Sequence, residues 1–198
     1  MNILFTLNDA FVPQVATCMC SIFENNKSAE NITVYLIGER INQENQDKLK
    51  GFAKSYDRKV CIISINNIAD YIDFDFDTNG WSSIILARLF LDKLLPQEVD
   101  RILYLDGDTL VLEDIGSLFY SDLGDKVIGM CPEPTVDKSR KEFLALKEHP
   151  YHNSGVLLID LKKWRKEEIG KKVIEFYQFH EGKLFAPDQD ALNGALKE

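Results

Sequence analysis

Asp106 and Asp108 stand one glycine apart directly after an apolar run, in RILYLDGDTLVLEDI at residues 101–115. Carboxylates at that spacing on an extended backbone point to the same side and can share one hard divalent cation. Without a cation the two would repel and resist joint ionisation; Mn²⁺ or Mg²⁺ removes that penalty. The alternative is a plain surface turn, since Asp-Gly is a frequent turn pair with positive φ at the glycine. LYLD is too apolar for anything but a core strand, however, so Asp106 emerges from the protein interior. That placement favours a site.

A second acidic run, DFDFDTNG at 73–80, imitates the start of a calcium-binding EF-hand loop. Such a loop needs Gly directly after its third acid and Glu at its twelfth position. Thr78 and Ile84 occupy those places, so a solvated acidic turn is expected. The four cysteines, Cys18, Cys20, Cys61 and Cys131, form no CxxC and no pairing with histidine. A zinc site is therefore not expected, and buried reduced thiols are. His149 and His152 read as loop residues, and His180 as a helix-end residue that complements the macrodipole.

The whole chain bounds the chemistry further. Its 198 residues are 45% hydrophobic and 28% charged, enough for one domain with a real core. A net charge of −9 argues against nucleic acid, whose phosphates select basic faces. A nucleotide diphosphate remains compatible once a divalent cation screens it. MNILFTLND lacks the positive stretch and long apolar region of a signal peptide, and no run approaches the roughly 18 apolar residues of a membrane span. A soluble, cytoplasmic protein is expected.

The elements that must position these carboxylates follow from apolar spacing. Strands are expected at 2–7, 32–38, 59–65, 102–106, 109–113, 126–130 and 155–161. Helices are expected after Pro13, whose Val15, Cys18, Met19, Ile22 and Phe23 keep helical spacing, and at 42–56 with Asn42 as N-cap. Further helices are expected at 82–95, apolar nearly all round, at 164–180, and from DQDALNGALK onward. Alternation of this kind predicts a mostly parallel sheet with helices on both faces, where ligands bind beyond the carboxyl ends of the strands. Asp9, Asp106 and Asp108 fall at such ends.

Five blocks in order, NILFTLND, LARLFLDKLLP, RILYLDGDTLV, HNSGVLLIDLKKWR and PDQDALN, resemble the family 8 glycosyltransferases across essentially the whole chain. These are the lipopolysaccharide galactosyl- and glucosyltransferases and the glycogenin relatives. The resemblance implies an α/β GT-A fold in one catalytic domain. It implies retaining transfer of galactose or glucose from a UDP-sugar, dependent on Mn²⁺ with Mg²⁺ as substitute. The acceptor would be a glycan or a lipid-linked sugar, and the location the cytoplasm, with room for peripheral association at the inner membrane face.

Site residues carry over by position. Asp106 and Asp108 fall on the metal-binding D-x-D around Gly107, with Asp106 also at the ribose. Thr6, Leu7, Asn8 and Phe11 fall on the first nucleotide-binding loop; Asn8 replaces an acid that contacts uracil, and Phe11 a stacking Tyr. Arg88 matches a contact to donor sugar and diphosphate, and Asn153 and Gly155 a sugar-contacting strand. Asp188 matches a residue that binds the sugar hydroxyls, and Gln189 one that faces the anomeric carbon.

Read from the residues alone, Arg88 could be a buried ion-pair partner, Asn153 a turn residue and Asp188 a helix N-cap. A nucleotidyltransferase would require a Gly-rich basic loop near the first strand, and TLNDAFVP offers none. A non-catalytic sugar-nucleotide-binding remnant is the other alternative. In the resembling family, a His-containing segment and a Lys-Pro-Trp lie beyond this point and supply a third metal ligand and a diphosphate contact. The chain stops at Lys197-Glu198 inside an expected helix. A C-terminally truncated form or a partial homologue, with weak UDP–Mn²⁺ affinity and slow or undetectable transfer, is the corresponding expectation.

Overall fold

A computed structural model describes residues 1–197. Six strands form one sheet in the order β3-β2-β1-β4-β6-β5. They are β1 (Asn2–Asn8), β2 (Thr33–Glu39), β3 (Lys59–Ile65), β4 (Arg101–Leu105), β5 (Ile128–Pro132) and β6 (His152–Asp160). β1 pairs in parallel with β2 and β4, and β2 in parallel with β3. β6 runs antiparallel to both β4 and β5, so the sheet is mostly parallel, as predicted.

Because side chains alternate along a strand, each central strand feeds two cores. Ile3, Phe5, Leu103, Leu105 and Leu158 face one side. There they meet Val15, Cys18, Met19, Ile22 and Phe23 of α1 (Val12–Asn25) and Leu49 and Ala53 of α2 (Gln43–Ser55). Asn42 caps α2, its side chain accepting from Asn45 N at 2.8 Å. Leu4, Ile102, Tyr104, Leu157 and Ile159 face the other side. That core is completed by a 3₁₀ segment, Ser83–Leu89, by α3 (Leu91–Leu94), and by α6 (Leu161–Lys166), α7 (Ile169–Phe179) and α8 (Pro187–Ala195). Two short helices, α4 (Gly116–Phe119) and α5 (Lys138–Phe143), lie in the connections.

Several expected elements differ. Residues 109–113 form no strand: Leu110 and Leu112 are 61% and 78% exposed while Val111 alone is buried. The Val111 backbone is satisfied by α1 side chains, its N–H donating to Ser21 Oγ (3.0 Å) and its C=O accepting from Asn25 Nδ2 (2.9 Å). The expected helix 82–95 is a 3₁₀ segment followed by the single turn α3. The expected helix 164–180 is two helices, broken at Glu168 with φ +53. The last helix ends at Ala195 with Leu196 as C-cap; Glu198 lies outside the described residues.

Of the four free cysteines only Cys18 is buried, and Cys131 is exposed. DFDFDTNG is a turn that pairs with the 177–185 region: Asp77 N donates to Gly182 O (2.8 Å) and Tyr177 Oη to Asp77 O (2.8 Å). Among the described residues no helix is long and apolar enough to cross a membrane.

Candidate functional site

β1 and β4 both end at one rim of the sheet, and a cavity of about 400 Å³ opens there. Its walls include Thr6, Leu7, Asn8, Phe11, Arg88, Asp106, Gly107, Asp108, Asn153, Asp188 and Gln189. Eleven residues expected from sequence are thus gathered around one space. Gly155 does not line it, and acts from behind: its C=O accepts from Asp106 N (2.8 Å). A Cβ on Gly155 would stand 2.8 Å from Asp106 Oδ2, so the missing side chain keeps that oxygen open. Asp9 also lies outside. It ties the end of β1 to α2, accepting from Asn42 N (2.9 Å), Asn42 Nδ2 (2.8 Å) and Asn45 Nδ2 (2.9 Å).

Asp106 and Asp108 reach the cavity by a different route from the one expected. β4 stops at Leu105, and a turn follows in which Thr109 Oγ1 donates to Asp106 O (2.7 Å). Gly107 does not have positive φ. It is small because the turn lies on α1, where a Cβ would meet Val15 Cγ2 at 2.5 Å and the Phe11 ring at 3.2 Å.

Arg88 is the buried centre of the site, with its side chain 5% exposed. Nη2 pairs with Asp106 Oδ1 (3.1 Å) and Nη1 with Asp188 Oδ2 (3.1 Å). Nη1 also donates to Ser154 O (2.9 Å), and Nε to Ile85 O (3.1 Å). Arg88 is the one charged residue of the 3₁₀ segment and is buried together with its apolar neighbours Ile84, Leu86, Ala87 and Leu89. Burial opposes its charge, but Asp188, Tyr104 and Asp106 outweigh burial and hold its pKa above the ordinary arginine value.

Tyr104, not expected from sequence, completes the arrangement. Its ring lies 4.1 Å beneath the guanidinium, and its hydroxyl donates to Asp106 Oδ1 at 2.7 Å. Burial, with Asp106 adding to it against Arg88, pushes the Tyr104 pKa well up, so the hydroxyl keeps its proton. Two donors therefore fix Asp106 Oδ1 and leave Oδ2 facing the space that Gly155 clears. Asp106 and exposed Asp108 both line the cavity, and carboxylate oxygens are the ligand type that Mn²⁺ or Mg²⁺ accepts. No group of three or more His, Cys, Asp or Glu gathers among the described residues.

On the opposite wall Asp188 is not an N-cap. Ala186 holds that position, and Asp190 Oδ2 reaches back to its N–H (3.0 Å). Asp188 Oδ2 accepts from Ser154 Oγ (2.9 Å), and Gln189 Oε1 accepts from Ser154 N (2.9 Å). Asn153 Oδ1 accepts from Gly155 N (2.7 Å), where the β5–β6 ladder shifts register. At the β1 side Asn8 Oδ1 is buried and has no hydrogen-bond donor. Trp81, Ser82, Ile84, Ile85, Ser154 and Ala186 also line the cavity and were not foreseen.

His149 and His152 lie outside the cavity. His180 caps α7 between the rings of Phe143 and Phe176, at 4.8 and 4.6 Å. Burial lowers its pKa, so a neutral ring replaces the expected interaction with the helix dipole.

Known proteins share this sequence pattern and this fold. The sequence model of glycosyl transferase family 8 matches residues 2–198. A relative from Haemophilus influenzae is 30% identical over 100% of this chain and 59% of its own length. A lipopolysaccharide 1,2-glucosyltransferase of Escherichia coli K12 is 27% identical over 100% of this chain and 58% of its own. The chain thus spans somewhat over half the length of these relatives. The structure of the galactosyltransferase LgtC with donor and acceptor sugar analogues superposes with a TM-score of 0.85 at 28% identity, covering 98% of this chain and 70% of that one. An LgtC variant with an active-site glutamine changed to glutamate gives 0.86, covering 98% and 69%. The fold is therefore the GT-A fold.

Proposed function

Because the chain belongs to glycosyl transferase family 8, we propose that its cavity binds a UDP-hexose with a divalent cation and passes the hexose to a glycan or lipid-linked acceptor. The observation that carries this reading is the convergence of Asp106, Asp108, Arg88, Asp188 and Gln189 on one cavity at the strand ends. Galactose and glucose are the donor sugars to test first, since similar proteins are a galactosyltransferase and a glucosyltransferase.

Each residue has a role that suits its surroundings. Phe11 offers a ring for a base to stack on, and Asn8, which lines the cavity with it, a side-chain amide for the polar edge of a base such as uracil. Asp106 and Asp108 would hold Mn²⁺, or Mg²⁺ in its place; the bound cation would neutralise charge developing on the departing diphosphate. Arg88 is a fixed positive charge in a water-poor setting, needing no reorganisation as the sugar–phosphate bond breaks. Asp188 has Oδ1 uncommitted to Arg88 or Ser154 and suited to sugar hydroxyls. Gln189, an amide beside the sugar position, matches the type of residue altered at the LgtC active site. Retention of the anomeric configuration is part of the same proposal.

The test is release of UDP from a panel of UDP-sugars with Mn²⁺ and simple sugar acceptors. Release from UDP-galactose or UDP-glucose, with the sugar found on an acceptor or in water, is expected. Binding of UDP without release from any donor would favour the non-catalytic alternative.

A further inference from the structure

Gln189 is held at both ends of its amide. Oε1 accepts from Ser154 N at 2.9 Å, and Nε2 donates to the hydroxyl of Tyr151 at 3.1 Å. That hydroxyl donates to Asp190 Oδ1 at 2.6 Å and accepts from Arg140 Nη2 at 2.7 Å. Arg140 Nε closes the loop on Asp190 Oδ1 at 2.8 Å. Tyr151 is 2% exposed and Asp190 1%, so the network is shielded from water.

A phenol has one proton and two lone pairs. Here the proton goes to Asp190, and the lone pairs receive Arg140 and Gln189. Tyr151 can then only accept from Gln189, while Ser154 N can only donate to it. The two neighbours have opposite polarity, and the amide fits in a single orientation. Burial and the Asp190 bond both push the Tyr151 pKa up, which keeps the hydroxyl protonated.

Arg140 is what makes Asp190 a committed acceptor. It comes from α5, a short helix capped by Asp137, whose side chain accepts from Arg140 N at 2.8 Å. Its guanidinium lies between the rings of Tyr151 (4.9 Å) and Phe185 (4.6 Å), which restrains it laterally. None of the three residues lines the cavity. We propose that Arg140, Tyr151 and Asp190 are positioning residues that fix the polarity of the Gln189 amide at the sugar end of the site. The catalytic consequence rests on the transferase reading above; the positioning itself does not.

The test uses Tyr151→Phe, which keeps the ring and removes only the hydroxyl. The side-chain amide resonances of Gln189, identified in ¹H–¹⁵N spectra by their loss in Gln189→Glu, report its orientation without any turnover. In Tyr151→Phe they should shift and broaden, and in Arg140→Gln likewise, with Arg140→Lys restoring part of the original signal. Donor turnover should lose roughly tenfold to a hundredfold in kcat with KM for the donor within about twofold, because misplacement of one group is costly only at the reacting centre. Unmoved Gln189 resonances would overturn the proposal whatever the activity. Shifted resonances with unchanged kcat would overturn its catalytic consequence. Failure of the wild-type protein to turn over any UDP-sugar would instead overturn the transferase reading, and the spectra would still decide the positioning.

Discussion

Replacing Arg88 with Met keeps most of its volume while removing the charge at the centre of the site. Arg88→Met leaves Asp188, with its side chain 8% exposed, facing Asp106 without the guanidinium between them. It also strips donors from Ser154 O and Ile85 O. Breaking a buried ion pair from one side costs about 3–5 kcal/mol. Asp106 is 39% exposed and screened by water, so its share is discounted and the lower end of that range applies. A loss of about 3 kcal/mol corresponds to a fall in Tm of roughly 6–12 °C for a domain of this size. The wild-type guanidinium has a raised pKa, so its stabilising contribution is present throughout the pH range below the ordinary arginine value. Urea unfolding measures the deficit, with Arg88→Met/Asp188→Asn as the companion. The double variant should recover much of the loss, since it removes the stranded charge. A loss under about 1 kcal/mol, or strictly additive effects, would refute the reasoning.

Three further outcomes follow from the same geometry. Gly155→Ala sets a Cβ 2.8 Å from Asp106 Oδ2, so UDP affinity in the presence of Mn²⁺ should fall about tenfold in calorimetry, close to 1.4 kcal/mol. Gly107→Ala drives a methyl into Val15 Cγ2 and the Phe11 ring and should destabilise by about 1–3 kcal/mol in urea unfolding, as overpacking does. His180 has a pKa lowered by burial, so the unfolded chain binds more protons between that lowered value and 6.5. Stability should therefore rise with pH across that window, and His180→Phe should flatten the slope in a pH series of unfolding curves.

The strands were legible because NILFTL and ILYL are apolar enough to be buried on both faces, and the D-G-D was legible because it interrupts such a run. TLVLE misled for a physical reason. Its alternation is real, but Ser21 and Asn25 of α1 satisfy Val111, so no neighbouring strand is needed. The 82–95 stretch gave no sign of its 3₁₀ geometry, because apolar residues all round fit any buried element. Arg88 was found through a resemblance of blocks; its two carboxylate partners lie in other blocks and only the fold brings them together. Tyr104 was read as core, since a strand tyrosine shows its hydroxyl partner only once Asp106 turns back over it. Arg140 was invisible: its bond to Asp190 spans fifty residues and starts from a helix with no apolar periodicity.

Calorimetric titration of UDP into the protein with and without Mn²⁺, repeated on Asp108→Asn, tests the central claim most directly. Asp108 is exposed at the cavity edge and outside both hydrophobic cores, so the substitution should leave the fold and its Tm unchanged. The expected result is UDP binding to the wild type that depends on Mn²⁺ and is weakened at least tenfold in Asp108→Asn, the scale of one lost charge-assisted ligand. Equal UDP affinity with and without Mn²⁺, or an unchanged Mn²⁺-dependent affinity in Asp108→Asn, would contradict it.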